Sequence, residues 1–149
     1  RVGQALEGQR PAPPFEPHDA ARALTPPELV ETVAAAVRAG CAAVIPVLPV
    51  VDTIKEVGPA GDSAGASGPS EVVLGTVDRA VLRSVQTPQG FRRDVLAAAH
   101  AAGLDAHTDD AGMVEKAGVP VTCVPGSDLA MKITRPLDLV IAEALLHVA

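Results

Sequence analysis

Residues 25–50 read TPPELVETVAAAVRAGCAAVIPVLPV, and this stretch decides the fold class. Leu29, Val30, Val33, Ala34 and Val37 recur at helical spacing. Thr25 is the expected cap, Pro26 the expected first helical residue, and Glu28 lies three residues past the cap, as a capping box requires. Gly40 is expected to end the helix in the C′ position. CAAVIPVLPV, residues 41–50, is short and rich in Val and Ile, which fits a strand beside other covered strands. Helix, glycine and apolar strand make half of a βαβ pattern, so the chain is predicted to be α/β.

On the C-terminal side, VDTIKEV (51–57) alternates apolar and polar residues, a Gly- and Ser-rich stretch follows, and EVVLGTVDRAVLRSVQ (71–86) alternates again. Two alternating segments around such a tip predict a β-arm projecting from the main sheet at about residues 51–84. A lone two-stranded arm is marginal in water, so a second subunit is expected to cover it. RRDVLAAAHAA (92–102) reads as a helix closed by Gly103. Thr108 is expected to cap a short helix that starts with Asp109 and Asp110 and stops at Gly118. Val119 to Val124 reads as a strand and Leu129 to Ile133 as a short strand-like stretch. Thr134 is expected to cap a last helix whose apolar face holds Leu137, Val140, Ile141, Ala144 and Leu145. On the N-terminal side, RPAPPFEP breaks regular structure before HDAARAL, a turn dense in ionisable groups.

With 149 residues the chain has the size of one domain and can bury a core without staples. It has two Phe, no Tyr and no Trp, so that core must come from Val, Leu, Ile and Ala. A net charge of -6 offers no basic excess for nonspecific nucleic-acid binding. Two cysteines, Cys41 and Cys123, are too few for a disulfide framework; each falls in an apolar strand and is expected to be inert. No apolar run reaches membrane-spanning length, and RVGQALEGQR lacks the basic-then-apolar pattern of a signal peptide, so a cytoplasmic protein is expected. The chain has no initiator Met and opens like the tail of a helix, so residues are expected to precede Arg1.

Five groups of residues carry chemistry. His18, Asp19 and Arg22 sit where a strand should end before a helix, the place where open α/β sheets bind ligands. Asp19 suits a sugar hydroxyl or a divalent cation and Arg22 suits a phosphate; a structural cap with a salt bridge competes with that reading. Asp52, Thr53 and Lys55 suit phosphate oxygens, but taken alone a solvated strand edge is the stronger reading. Arg79 and Arg83 precede QTPQGF, which contains Thr87 and Gln89 and whose polar groups would pin a loop or a ligand, though both arginines read equally well as ordinary surface charges. His107, Thr108, Asp109 and Asp110 lack the spacing of a zinc cage and read better as a helix cap. Asp128, Lys132, Thr134 and Arg135 place a basic group near a helix start, either as a phosphate anchor or as a snorkelling lysine. No Ser-His-Asp or Cys-His arrangement, Walker A loop or GxGxxG is present.

HDAARAL, VVDTIK, VDRAVLRSVQTPQGF, HTDDAGMVEKAG and MKITRPLDL, in this order, resemble the 2-C-methyl-D-erythritol 4-phosphate cytidylyltransferase family from His18 to the C-terminus. The resemblance implies a Rossmann-like nucleotidyltransferase sheet with helices on both faces and a projecting β-arm. It implies transfer of a cytidylyl group from CTP to methylerythritol 4-phosphate, with pyrophosphate released and a divalent metal, usually Mg, in attendance. It also implies a homodimer in which interlocking arms complete each other's sites, with neither nucleic acid nor membrane as a partner. By the same resemblance Asp19 contacts the nucleotide, substrate or metal region and Arg22 the substrate phosphate side. Thr53 and Arg79 reach the partner's substrate phosphate, and Thr108 touches the substrate. Lys132 stabilises charge developing at the nucleotide phosphates and Thr87 positions the base of the arm, while Asp128 and Thr134 are structural.

Two departures from the family pattern stand out. The family's N-terminal portion, with its first strand, Gly-rich triphosphate loop and catalytic Arg and Lys, does not occur in these 149 residues, so the fold is expected to be N-terminally incomplete and the chain alone inactive. FEP stands where an apolar strand should precede HDAAR, and Glu16 and Pro17 fit a central strand poorly. A noncatalytic dimerisation or regulatory piece, or a nucleotidyltransferase for another sugar or alditol phosphate, are the alternative functions.

Overall fold

The structure is a computed structural model, and it describes residues 13–60, 71–103 and 109–147. It divides into two compact units, residues 1–47 with 85–149 and residues 48–84.

The first unit is built on strand β1 (Ala43–Pro49). Strand β6 (Val121–Pro125) pairs with it in parallel, from Ala43↔Val121 to Val47↔Pro125. Its other edge is taken by β4 (Arg83–Val85) and β5 (Gly90–Phe91), the latter antiparallel through Ala43↔Phe91 and Val44↔Gly90. Alternation along β1 sends side chains to opposite faces. Val44 packs with Val33 and Val37 of helix α1 (Pro27–Arg38). Ala43 and Ile45 pack on the other face with Phe91, with Leu96 and Ala99 of α2 (Arg93–Ala101), and with Ala111, Met113 and Val114 of α3 (Asp110–Lys116). Covered on both sides, the first four residues of β1 are all buried, as the apolar run predicts. Helices α1, α2 and α3 are each followed by a glycine at positive φ, Gly40, Gly103 and Gly118, where a side chain would be strained.

The second unit contains the antiparallel pair β2 (Ile54–Pro59) and β3 (Glu71–Val77), with a register shift between Glu56 and Val57. The two alternating segments therefore pair as a two-stranded sheet; the Gly/Ser tip at 61–70 lies outside the described residues. Val57, Val72, Val73 and Leu74 are exposed on it.

Several local expectations are corrected. Helix α1 begins at Pro27, not Pro26: the residue before a proline is pushed out of the helical region, and Pro26 is extended at ψ 141°. The Thr25 hydroxyl consequently donates to Arg22 O at 2.8 Å and caps nothing. For α3 the cap is Asp109, whose carboxylate accepts the Gly112 N–H at 2.9 Å; Thr108 lies outside the described residues. For α4 (Pro136–Leu146) the cap position is Arg135, and Thr134 stands one residue ahead of it. Asp138 reaches back and accepts both N–H groups, Thr134 at 2.9 Å and Arg135 at 2.8 Å. The stretch 129–133 is no strand: a short 3-10 turn at Asp128–Ala130 leads into unpaired extended chain. Among the described residues α4 buries only Ala142, and Leu137, Val140 and Ile141 of its expected inner face are exposed. Cys123 lies in β6 as expected, but it is exposed because that strand is half open to solvent. The segment before HDAAR forms only an isolated bridge, Phe15↔Phe91, as Glu16 and Pro17 led one to expect. Among the described residues no helix is long and apolar enough to cross a membrane.

Candidate functional site

The site grows from the turn at His18–Arg22. Phe15 exchanges backbone hydrogen bonds with Phe91, and the Gln89 N–H donates to Pro17 O at 3.1 Å, so residues 15–17 run beside 89–91. The chain then turns sharply. Asp19 Oδ1 accepts the Ala21 N–H at 2.9 Å, and the Arg22 N–H donates to Asp19 O at 2.9 Å. The Asp19 N–H donates to Thr87 Oγ1 at 3.0 Å, and the same hydroxyl lies 3.1 Å from His18 Nδ1. The second oxygen, Oδ2, takes the Lys132 ammonium at 2.8 Å. That hydrogen bond from Lys132, then the one from Ala21, hold the Asp19 carboxyl below its ordinary value of 3.8.

Arg22 lies on the same turn but does not present an open fork. Nη1 donates to Ala130 O at 2.6 Å and Nη2 to Val85 O at 3.2 Å, while Nε is buried without a partner. Burial lowers its pKa, and the Asp19 carboxylate opposes that shift.

A cavity of about 370 Å³ opens here, with His18, Asp19, Thr87, Gln89, Asp109 and Asp110 among its polar lining. Gln89 is almost fully buried; it donates to Asp109 Oδ2 at 2.9 Å and accepts the Ala111 N–H at 3.2 Å. His100 also lines the cavity, 3.5 Å from Asp110. Among the described residues the lining contains carboxylates, amide, hydroxyl and imidazole groups and no Lys or Arg. It can accept hydrogen bonds from the hydroxyls of a polyol, and the nearby cation that can meet an anion is Lys132.

Asp19, Thr87 and Lys132 are thus in contact, with Arg22 on the same turn. Thr53 and Arg79 belong to the second unit, where Thr53 is exposed and Arg79 Nη1 donates to Val51 O. Asp128 opens the 3-10 turn and is exposed, and the Thr134 hydroxyl donates to Asp138 at 3.2 Å. His107 and Thr108 lie outside the described residues. One residue passed over singly by sequence reasoning is Gln86. It is 4% exposed and holds both backbone groups of Ser127. The available signal was QTPQGF itself, a polar segment running into the buried Phe91.

A divalent cation finds a poor set of donors. Both oxygens of Asp19 are already engaged, and among the described residues no three His, Cys, Asp or Glu side chains cluster for metal binding.

Comparison with known proteins matches residues 13–148 to the family model described as IspD, 2-C-methyl-D-erythritol 4-phosphate cytidylyltransferase. The chain is 60% identical over 129 residues to the enzyme of that name from Frankia casuarinae, covering 87% of this chain and 45% of that protein. It is 58% identical over 132 residues to its counterpart from Nocardia farcinica, covering 89% and 53%. The crystal structure of the Thermus thermophilus cytidylyltransferase superposes with a TM-score of 0.72 at 42% identity, over 91% of this chain and 62% of that one. The mixed sheet with helices on both faces is therefore the Rossmann-like fold of these relatives. The chain spans about half the length of the curated relatives it matches. With the family model matched over residues 13–148, the chain that carries this turn of Asp19, Thr87 and Lys132 belongs to the 2-C-methyl-D-erythritol 4-phosphate cytidylyltransferase family.

Proposed function

We propose that the protein carrying this chain transfers a cytidylyl group from CTP to 2-C-methyl-D-erythritol 4-phosphate. A phosphate oxygen of the acceptor forms a bond to the α-phosphorus of CTP, the bond from that phosphorus to the β-phosphate bridge breaks, and pyrophosphate leaves with the electron pair. No covalent enzyme intermediate is needed, so the protein's work is positioning and neutralising negative charge. The observation that carries the reading is the Asp19–Lys132 pair, held on the Thr87 hydroxyl beside a polyol-sized cavity in a chain of this family.

Each residue has a role in this reading. Lys132 meets the phosphates and stabilises charge as the pentavalent centre forms. Asp19 accepts a substrate hydroxyl while orienting the Lys132 ammonium. Arg22 contributes positive charge on the substrate phosphate side and not a bidentate grip, because both its Nη atoms already donate to carbonyls. Thr108 touches the substrate. Thr87 holds the turn at Asp19, and Asp128 and Thr134 shape the approach to α4. A divalent cation, which the family implies, would supply charge neutralisation on the triphosphate when bound; no cage for it forms among the described residues.

The β2–β3 pair serves as the arm of a homodimer, carrying Thr53 and Arg79 to the partner's substrate phosphate. Its exposed Val57, Val72, Val73 and Leu74 support this, since a two-stranded sheet with bare apolar side chains is marginal in water. Deleting residues 52–82 should leave a monomer by sedimentation; an unchanged dimer mass would count against the arm.

The activity test is pyrophosphate release from CTP in the presence of 2-C-methyl-D-erythritol 4-phosphate. Lys132→Ala should lower kcat by ~100-fold or more, the usual cost of removing one charge-stabilising donor. Release independent of the acceptor, or a full rate in Lys132→Ala, would overturn the assignment.

A further inference from the structure

The Asp19–Lys132 pair, 2.8 Å apart, has little in itself to hold it in place. The Lys132 side chain is 51% exposed and that of Asp19 32%. Exposed ion pairs are screened and lose side-chain entropy when fixed, so alone they hold neither partner firmly. The order must come from the backbone on each side. For Asp19 the source is Thr87, whose hydroxyl takes its N–H. For Lys132 it is the residue next to Thr87, Gln86.

The Gln86 side chain is buried, and its amide is used at both ends. Oε1 accepts the Ser127 N–H at 3.0 Å, while Nε2 donates to Ser127 O at 2.8 Å and, at 3.4 Å, to Ala130 O. Its own N–H donates to Pro46 O of β1 at 2.8 Å, which ties this clamp to the centre of the sheet. The turn it grips is held closely on either side. The Gly126 N–H donates to Val47 O at 2.9 Å, Ala130 O takes Arg22 Nη1, and the Ile133 N–H donates to Ala21 O at 2.8 Å. Lys132 sits between the last two anchors. Gly126 leaves the space: a Cβ there would stand 2.3 Å from Gln86 Oε1 and 3.0 Å from Val47 O.

We propose that Gln86 is a positioning residue: its buried amide fixes the Gly126–Ala130 turn and thereby holds the Lys132 ammonium against Asp19, so that adjacent residues 86 and 87 set the two halves of the pair. The inference deepens the proposed cytidylyl transfer and, for its kinetic consequence, rests on it. Only Lys132, and not the fold, transmits the effect to the reaction.

The test uses Gln86→Met, close in volume and unable to hydrogen-bond, in the protein that carries this chain. Loss of a buried two-ended clamp should lower kcat about tenfold and leave KM for CTP within about twofold, because the ground-state contacts stay. In a Lys132→Ala background the same change should cost nothing further, whereas a purely structural role would lower the rate equally in both backgrounds. A second reading needs no turnover. The Lys132 ammonium, assigned by the signal lost in Lys132→Ala, can be followed by 15N relaxation, and it should become mobile in Gln86→Met while that of Lys116 does not change. Should Gln86→Met fail to fold, Gly126→Ala displaces the same amide and should give the same pattern. Additive kinetics, or an ammonium equally ordered in the variants, overturns the proposal. A parent protein that releases no pyrophosphate while its Lys132 ammonium still responds to residue 86 would instead overturn the cytidylyl-transfer reading and leave the positioning role intact.

Discussion

Replacing Gly90 by Ala places a single methyl group where α1 meets the sheet. Gly90 pairs with Val44 in the middle of the first unit, and a Cβ there would lie 2.5 Å from Val33 Cγ1, 3.0 Å from Val37 Cγ2 and 3.6 Å from Val33 O. Normal carbon contacts need about 3.5–4.0 Å, so the helix must move by roughly an ångström or both valines must change rotamer. The second escape is closed: Val33 is fully buried, and a β-branched residue inside a helix has one strongly preferred χ1. Overpacking of this kind costs about 1–3 kcal/mol. At about 2–4 °C per kcal/mol for a chain near this size, Tm should fall by about 2–12 °C. With no Trp or Tyr to report, the melt is followed by far-UV circular dichroism. Gly75 in β3 is the control: nothing lies within 4 Å of a Cβ there, and Gly75→Ala should stay within about 0.5 kcal/mol of the parent. Adding Val33→Ala to Gly90→Ala should give a double variant more stable than the sum of the single effects, by about 0.5–3 kcal/mol. A Gly90→Ala protein that melts with the parent, or strict additivity with Val33→Ala, would refute this account of how α1 seats on the sheet.

Two further outcomes are expected. Gln89→Leu strands the buried Ala111 N–H and one oxygen of Asp109, so it should destabilise by about 1–3 kcal/mol in a denaturant titration; a loss below about 0.5 kcal/mol, roughly the range of neutral surface substitutions, would contradict its role at the head of α3. The Asp19 carboxyl is depressed in the folded chain, so its pairing with Lys132 contributes above the unfolded carboxyl range and is lost as pH falls through the folded value. In Lys132→Met, its titration followed by carboxyl 13C NMR should shift upward toward 3.8; an unmoved midpoint would show that Lys132 is not the cause.

Legibility in the sequence followed the range of the interactions. Helix α1 and strand β1 could be read because their apolar spacing and the closing Gly40 are local patterns. The start of α1 differs by one residue from its sequence pattern because a Thr-Pro-Pro-Glu string satisfies a capping box on paper, while the second proline forbids it. The caps of α3 and α4 went to the neighbouring threonines for a related reason: Asp109 and Asp138 win them by reaching particular N–H groups, which a string of capable side chains does not specify. Leu129–Ile133 looked strand-like from its apolar residues, yet its hydrogen bonds go to Gln86, Arg22 and Ala21 and not to a neighbouring strand.

Composition and period by themselves determined that this chain is α/β and that its core is mostly aliphatic, with Phe91 its one aromatic among the described residues, while five ordered motifs showed which family it resembles. Those properties depend on residues near one another along the chain or on the identity of short strings. Tertiary structure alone decided that Lys132 faces Asp19 across 113 positions of sequence, that Arg22 is occupied by carbonyls, and that Gln86 is a clamp. A hydrogen bond depends on distance and angle between groups that folding brings together, and no local spacing encodes which buried amide will meet which turn.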